Sequence, residues 1–353
     1  MKYIQEFETV ADYNDARQND YIEHWTSLTD STGDINYDKS GRERLSMLPL
    51  TFDILSSGNI VYKSIGSPTN TAINYKKNNG EWTTINSSSN GTIIPVVFGD
   101  VVAFESENTP GESNSNYNCF SDSTCTFNLY GNIKSLSNWQ EISSSSTYAF
   151  YKLFADCTGL INANDLILPY NTLPEYGYGY MFYNCTGLQN APELPATSPG
   201  SGGANYHYAH MFENCTSLIQ TPMMKITSAG YGTCYAMFKG CTNLVTVTEF
   251  EIITINYMAC SDMFSGCSNL INMPPLKATK VSSAENGQYN RMFKNCSKLN
   301  NITCLLNKGN SNVCSNWLSG VSQTGTFTKA SNSTWDSGVS GIPSGWTIQD
   351  YQE

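Results

Sequence analysis

Six segments of the chain repeat one pattern: LFADCTGL, MFYNCTGL, MFENCTSL, MFKGCTNL, MFSGCSNL and MFKNCSKL. Their cysteines, Cys157, Cys185, Cys215, Cys241, Cys267 and Cys296, stand 26 to 30 residues apart. Three residues before each comes Phe (Phe154, Phe182, Phe212, Phe238, Phe264 and Phe293), with Met or Leu just before it. Three residues after each comes Leu (Leu160, Leu188, Leu218, Leu244, Leu270 and Leu299). A seventh, degenerate copy carries Cys314, Trp317, Leu318, Gly320 and Val321. A period of this length marks an array whose units bury their apolar sides only against their neighbours. From about Tyr148 to Val321 the chain therefore reads as a solenoid.

Each repeat has its own punctuation. The residue before the cysteine is Asp156, Asn184, Asn214, Gly240, Gly266 or Asn295, with Gly320 in the last copy. These residue types tolerate a left-handed backbone and close helical turns. The MF segment accordingly reads as a helix of one or two turns, and the cysteine as a small apolar core residue. After it, apolar residues recur three apart, as in Leu188, Ala191 and Leu194. That is a leucine-rich-repeat rhythm, a short strand flanked by bends. Cys234, Cys260 and Cys314 stand seven residues before the cap cysteine position, where other repeats carry Phe150, Tyr178, Tyr208 and Tyr289. The interchange with aromatics points to a buried site. The repeat cysteines thus read as free core thiols, although twelve cysteines in an exported protein usually signal disulfides. Cys119 and Cys125, outside the repeats, are either bonded or free. With three histidines and no CxxC, no metal site is expected.

The chain of 353 residues exceeds one ordinary core, and four segments follow. Residues 1–47 form a docking segment with a short helix from Val10 to Gln18, capped through Thr9 and Asp12. Residues 48–138 read as a β-sandwich-like domain of about seven strands, with Asn79-Gly80 as a hairpin turn. Tyr75 and Trp82 flank that hairpin, either as sugar-stacking aromatics or as core. Residues 139–328 hold the solenoid. Residues 329–353 form a C-terminal cap through Trp335, Ile342, Pro343 and Trp346. The fold class is mainly β, with a β-sandwich-like domain followed by a leucine-rich-repeat solenoid with short helical turns.

These repeats resemble the BspA-like leucine-rich-repeat family in its MFxxCxxL variant. The resemblance covers about half the chain. A proline seven residues after the cysteine appears as Pro192, Pro222 and Pro274, but Asn164, Thr248 and Thr303 replace it elsewhere. The C-terminal GIPSGWTIQD (Gly341 to Asp350) resembles the tails of such proteins from gut Bacteroidales and their crAss-like phages, and FETVADYNDA (Phe7 to Ala16) is similar to the start of phage-encoded members. The family implies surface adhesion or virion attachment, and no catalytic residue.

Composition narrows the function. Net charge is −11 with 19 Lys and Arg spread thinly, which disfavours nucleic acid as a partner. No apolar run reaches the ~18 residues of a membrane span. The opening residues lack the apolar stretch of a secretory signal, so the chain is either not exported by that route or has lost its signal. No GxSxG, GxxxxGK[ST], HExxH or GxGxxG occurs. His207 and His210 read as surface residues. Asp165 and Glu193 form only a commonplace carboxylate pair on neighbouring repeats. The chain reads as a non-enzymatic virion protein, a fibre or appendage with no cofactor. Its partner is a bacterial surface glycan or protein receptor or another virion protein, with homo-oligomerisation open. The alternatives are a bacterial cell-surface adhesin and, third, a polysaccharide-degrading enzyme. The repeat-to-repeat loops differ in length and each carries tyrosine. Tyr176, Tyr206 and Tyr231 are therefore expected along one edge, either contacting the receptor or shielding the next repeat.

Overall fold

The structure is a computed structural model that describes residues 48–143, 146–199, 205–248, 250–279 and 287–352. The segment 1–47, including the helix expected from Val10 to Gln18, lies outside the described residues. What is described is mainly β.

The first part has eight strands: β1 (Leu50–Ile54), β2 (Gly58–Ile65), β3 (Ala72–Lys77), β4 (Thr83–Asn86), β5 (Thr92–Val96), β6 (Val101–Glu105), β7 (Tyr117–Phe120) and β8 (Phe127–Asn132). A ninth, β9 (Leu160–Ile167), belongs to the first repeat. They make two sheets, ordered β4-β3-β6-β1-β8-β9 and β5-β2-β7. The sequence pattern misses β7 because it carries polar residues. Asn118 is buried there, and its side chain bonds the Asn70 and Pro110 carbonyls and Ser87. The sheets meet through aromatic rings. Phe120 of β7 lies 4.9 Å from Phe52 of β1 and 4.7 Å from Phe104 of β6 across the sheets, and 5.2 Å from Tyr62 of β2 in its own sheet. Strands β1 and β6 are antiparallel, but β9 runs parallel to β8, so the first repeat extends this sheet.

In the repeats, each apolar position of the pattern stacks on its copy in the next repeat. The six phenylalanine rings follow one another at 5.4, 5.4, 5.4, 5.5 and 5.8 Å, with interplanar angles of 17° at the first step and 4° or less or 6° at the others. Phe120 stands one step before Phe154, at 5.9 Å, and Trp317 one step after Phe293, at 6.1 Å. Phe154, Phe182, Phe212, Phe238, Phe264 and Phe293 are buried, as are Cys157, Cys185, Cys215, Cys241, Cys267 and Cys296. The cysteine has a second task besides filling space. Cys185 Sγ donates to the Phe154 carbonyl at 3.0 Å, Cys215 to Phe182 at 3.2 Å, Cys241 to Phe212 at 3.1 Å and Cys267 to Phe238 at 3.1 Å. A thiol is apolar enough for the core and still supplies a weak donor to a buried carbonyl. All twelve cysteines are free and buried, including Cys119 and Cys125. Burial pushes the Cys234 thiol up to about 12, and those of Cys185, Cys215 and Cys267 well above the ordinary value.

The MF segments are not helices, which corrects the expectation of short helical turns. Each is a run of four-residue turns in which every fourth residue is left-handed. In the first repeat these are Tyr148, Lys152 and Asp156, at φ 62°, 55° and 62°. The residue before each cysteine is left-handed throughout, from Asp156 to Gly320. Half the amides bond within the segment, as Tyr151 N–H to Tyr148 at 3.0 Å and Ala155 to Lys152 at 3.0 Å. The other half cross to the next repeat: Phe150 to Gly177 at 3.0 Å, Lys152 to Gly179 at 3.1 Å and Phe154 to Met181 at 2.9 Å. An α-helix keeps its amides to itself. This segment shares them with its neighbour, and the stack repays the left-handed strain with inter-repeat bonds. The helical reading fails because Phe150, Leu153, Phe154 and Cys157 have the i, i+3, i+4, i+7 spacing of a helix face, and the four-residue turn buries the same four. Among the described residues the one α-helical turn is Ser311–Cys314.

Two further walls link the repeats. Single parallel bridges join Asn162 to Asn190, Gln220 to Thr246 and Thr246 to Asn272. Short parallel pairs form the last wall: β10 (Thr172–Leu173) with β11 (Ser198–Pro199), and β12 (Ser228–Ala229) with β13 (Thr254–Ile255). At the C-terminal end, β14 (Asn301–Cys304) is followed by β15 (Lys308–Gly309), β16 (Gly325–Lys329), β17 (Thr334–Trp335) and β18 (Trp346–Asp350). Strand β16 runs parallel to β14 and β18 parallel to β16, so the tail adds rungs. Trp335 stacks on Trp317 at 5.4 Å, Ile342 and Trp346 are buried, and Trp346 Nε1 donates to Ser322 at 2.9 Å. Pro343 is half-buried beside them. One apolar cluster runs from Leu50 to Trp346.

Candidate binding surface

The tyrosines of the variable loops meet in one row. Tyr176 stacks on Tyr206 at 4.9 Å and 12°, and Tyr206 meets Tyr231 at 5.1 Å, edge to face. Two tyrosines that the sequence comparison passed over lengthen the row. Tyr148 stacks on Tyr176 at 5.0 Å, and Tyr257 on Tyr231 at 4.7 Å. Counting back from the cysteines would have found them. Tyr148, Tyr176 and Tyr206 each stand nine residues before the cap cysteine, and Tyr231 and Tyr257 each stand ten before theirs.

That change of register has a local cause. The ninth position is Gly232 in the fourth repeat, left-handed at φ 57°, and an added Cβ would lie 2.4 Å from the Tyr206 ring. Tyr206 therefore lies against bare backbone. The next ring comes from Tyr231, one residue earlier, and arrives edge-on at 82°. Tyr231 and Tyr257 are each 37% exposed, whereas Tyr148, Tyr176 and Tyr206 are half-buried by one another.

Ring geometry decides what the row can do. Rings stacked on each other have spent their faces, so what they present is edges and hydroxyl groups. Burial, with lesser contributions from neighbouring phenols, pushes Tyr176 up to about 12 and raises Tyr206 further. The hydroxyls stay protonated at neutral pH and can both donate and accept. A row of neutral donors and acceptors, one per repeat, suits a partner with many hydroxyl or amide groups.

A second row lies beside the first. Tyr180 stacks on His210 at 4.2 Å, and Tyr235 meets His210 edge-on at 5.1 Å. His210 also bonds Glu213, which takes Lys239 Nζ at 2.8 Å. Burial works to raise the Glu213 carboxyl, but the bonds from His210 and Lys239 outweigh it and hold it low. Farther along, Asp262 pairs with Arg291 at 2.6 Å. At the other end, Lys152 Nζ sits over Tyr117, Tyr151 and Tyr180 at 5.8, 5.5 and 5.4 Å, within cation–π range. Tyr117 belongs to β7, so this ammonium pins the first repeat to the preceding sheets.

The surface reading of His207 is corrected. His207 is 1% exposed, and burial lowers its imidazole to about 4. The lack of a regularly spaced partner across repeats suggested exposure, but the ring is enclosed by the next repeat, with Thr233 Oγ1 3.5 Å from its Nδ1. Asp165 and Glu193 are both half-buried, on neighbouring repeats. Tyr75 packs against the main cluster, and Trp82 is half-buried outside it. Among the described residues no group of three or more His, Cys, Asp or Glu side chains converges, and no helix is long and apolar enough to cross a membrane. No family model, curated protein or solved structure matches the chain.

Proposed function

We propose that the chain is a non-enzymatic attachment protein of a phage virion, which holds a bacterial surface glycan or protein receptor, or a neighbouring virion protein, along the tyrosine edge. In this reading residues 139–328 are a leucine-rich-repeat solenoid, residues 48–138 a β-sandwich-like base and residues 329–353 its cap. The observation that carries the reading is the unbroken row from Tyr148 to Tyr257, each ring within 5.1 Å of the next, on a scaffold bonded from repeat to repeat. A rigid scaffold lowers the entropy cost of presenting such groups, and tyrosine adds large contact area at few rotatable bonds.

The test is the triple variant Tyr176→Ser, Tyr206→Ser, Tyr231→Ser. It is expected to keep its denaturation midpoint within a modest margin and to lose at least tenfold in binding to host cells. A folded triple variant that binds as wild type does would move recognition off this edge. Mass spectrometry of purified virions separates the virion reading from that of a bacterial cell-surface adhesin, which the repeat resemblance equally supports. The protein is expected among the virion peptides.

A further inference from the structure

Five residues after each cap cysteine the chain carries an amide or hydroxyl side chain: Asn162, Asn190, Gln220, Thr246, Asn272 and Asn301. Backbone bridges align several of them across repeats, and Asn272 Nδ2 donates to Thr246 Oγ1 at 3.3 Å. Beside this row runs a second, of exposed apolar residues one position earlier. Ile219, Val245 and Ile271 are 56%, 37% and 42% exposed, and their backbones are bonded in succession at 2.9 and 3.0 Å. Exposed β-branched residues aligned on three successive repeats are not needed by the core, which Leu218, Leu244 and Leu270 already fill.

Two hollows lie along the amide row. One, of about 290 Å³, spans Asn190, Gln220, Pro222 and Thr248 over a floor of Ala191 and Thr221. The other, of about 390 Å³, spans Asn272, Pro274 and Asn301 over Val247 and Met273. Val247 of one and Thr248 of the other are neighbours in the chain, so the two hollows follow one another across the repeats as an interrupted groove parallel to the stack. Glu193 is the one charged residue among those lining it.

We propose that this groove is a second binding site, separate from the tyrosine edge, for a linear uncharged polysaccharide lying along the stack. Amides of Asn190, Gln220, Asn272 and Asn301 hydrogen-bond hydroxyl groups, and Pro222, Met223, Ile271 and Pro274 beside them meet the C–H faces of the sugar rings. The near absence of charge argues against an acidic polymer. Spacing argues against an extended peptide. The repeats on this wall are joined by parallel bridges and follow one another at about 4.8 Å, whereas a peptide strand presents same-side groups every ~6.6 Å and falls out of step. The proposal does not depend on the tyrosine edge.

The experiment is native affinity electrophoresis of the full chain in gels that contain a neutral glucan, mannan or xylan, with alginate and polygalacturonate as acidic counterparts. At least one neutral polysaccharide is expected to cut mobility by half or more, with little effect from the acidic ones. The variant Asn190→Ala, Gln220→Ala, Asn272→Ala, whose side chains are exposed, should keep the wild-type thermal midpoint and run unretarded. The triple tyrosine variant should still be retarded, which keeps this result distinct from the fate of the edge. The proposal is overturned if no neutral polysaccharide in the panel retards the chain, if the acidic ones do so equally, if the amide variant is retarded like wild type, if the tyrosine variant runs free, or if a neutral extended peptide releases the bound chain.

Discussion

The two halves of the molecule make an aromatic core in opposite ways. In the antiparallel part, Phe52 gathers Phe104, Phe120 and Phe127 from three other strands at interplanar angles of 65°, 57° and 29°. Each ring has its own surroundings, assembled from residues up to 75 positions apart, such as Phe52 and Phe127. In the repeats, one position solves its packing once and copies it, so that Phe182, Phe212, Phe238 and Phe264 lie within 6° of parallel at each step. The irregular core is a single object. The regular one is a series of nearly equal contacts, each of which holds only its neighbours. The difference is mechanical as well as visual. A series is only as strong as its weakest step, and everything displayed on it inherits its rigidity.

The largest expected effect breaks the series in its middle. Phe238→Ala removes a ring stacked on both sides, and a large-to-small change in a close-packed core costs about 3–5 kcal/mol. Denaturant unfolding should show a clear fall in midpoint. A midpoint equal to wild type would mean that the ladder carries no stability. Tyr176→Ser, at the half-buried edge of the same stack, should cost far less.

Next in size is a pH effect confined to the repeats. Buried His207 is neutral when folded, with its imidazole at about 4 against 6.5 for the free side chain. Below about 6.5 the unfolded chain takes up a proton that the folded one refuses. This part of the stability is therefore fully present above pH 6.5 and is lost as pH falls towards 4, by on the order of 3 kcal/mol at 1.36 kcal/mol per unit. Unfolding free energies of wild type and His207→Asn, measured between pH 7 and 4, should differ in slope across that window. Parallel curves would contradict the buried neutral imidazole.

A smaller effect sharpens the account of the turn wall. Ala236 is left-handed at φ 51°, and its amide bonds Ser261 of the next repeat at 2.9 Å. Left-handed backbone costs a non-glycine residue ~1–2 kcal/mol, glycine gives back ~0.5–1 kcal/mol through the flexible unfolded chain, and the buried methyl of Ala236 is worth ~0.8 kcal/mol. Ala236→Gly should therefore be close to neutral. In a helix, with no strain to relieve, the same change would destabilise by about 1.5–2 kcal/mol. The size of the shift in thermal midpoint decides between them.

The periodic half was the legible half. Phe, Cys and Leu at fixed distances identified the buried residues, and Asn, Asp or Gly before each cysteine identified one left-handed position in each repeat. The other left-handed positions escaped notice because Tyr148, Lys152, Tyr180, His210, Ala236 and Arg291 are not residues that announce such a backbone. The turn wall was misread as helical because both conformations bury the same spacing, and the deciding bonds run between repeats. In the antiparallel half the strand pattern was visible, but β7 was not, since Asn118 is buried through side-chain bonds that only the tertiary structure supplies. The tyrosine loops could be singled out from composition. Their ring orientations could not, because these depend on Gly232 leaving room for Tyr206. The groove was hidden for a simpler reason: one Asn or Gln per repeat looks like any solvent-facing strand position until the copies are aligned in space.

The most direct test of the stacked ladder is the reactivity of its thiols. Only the thiolate is a strong nucleophile, and burial holds Cys185, Cys215, Cys241 and Cys267 far above their ordinary pKa while each thiol donates to a carbonyl of the preceding repeat. Treated with a thiol reagent at neutral pH and mapped by mass spectrometry, the native chain should remain unlabelled at these four cysteines for as long as it stays folded, and label fully in denaturant. Rapid labelling of the four in the folded protein, or their recovery as disulfides, would contradict the ladder and with it the rigid edge that the repeats are proposed to display.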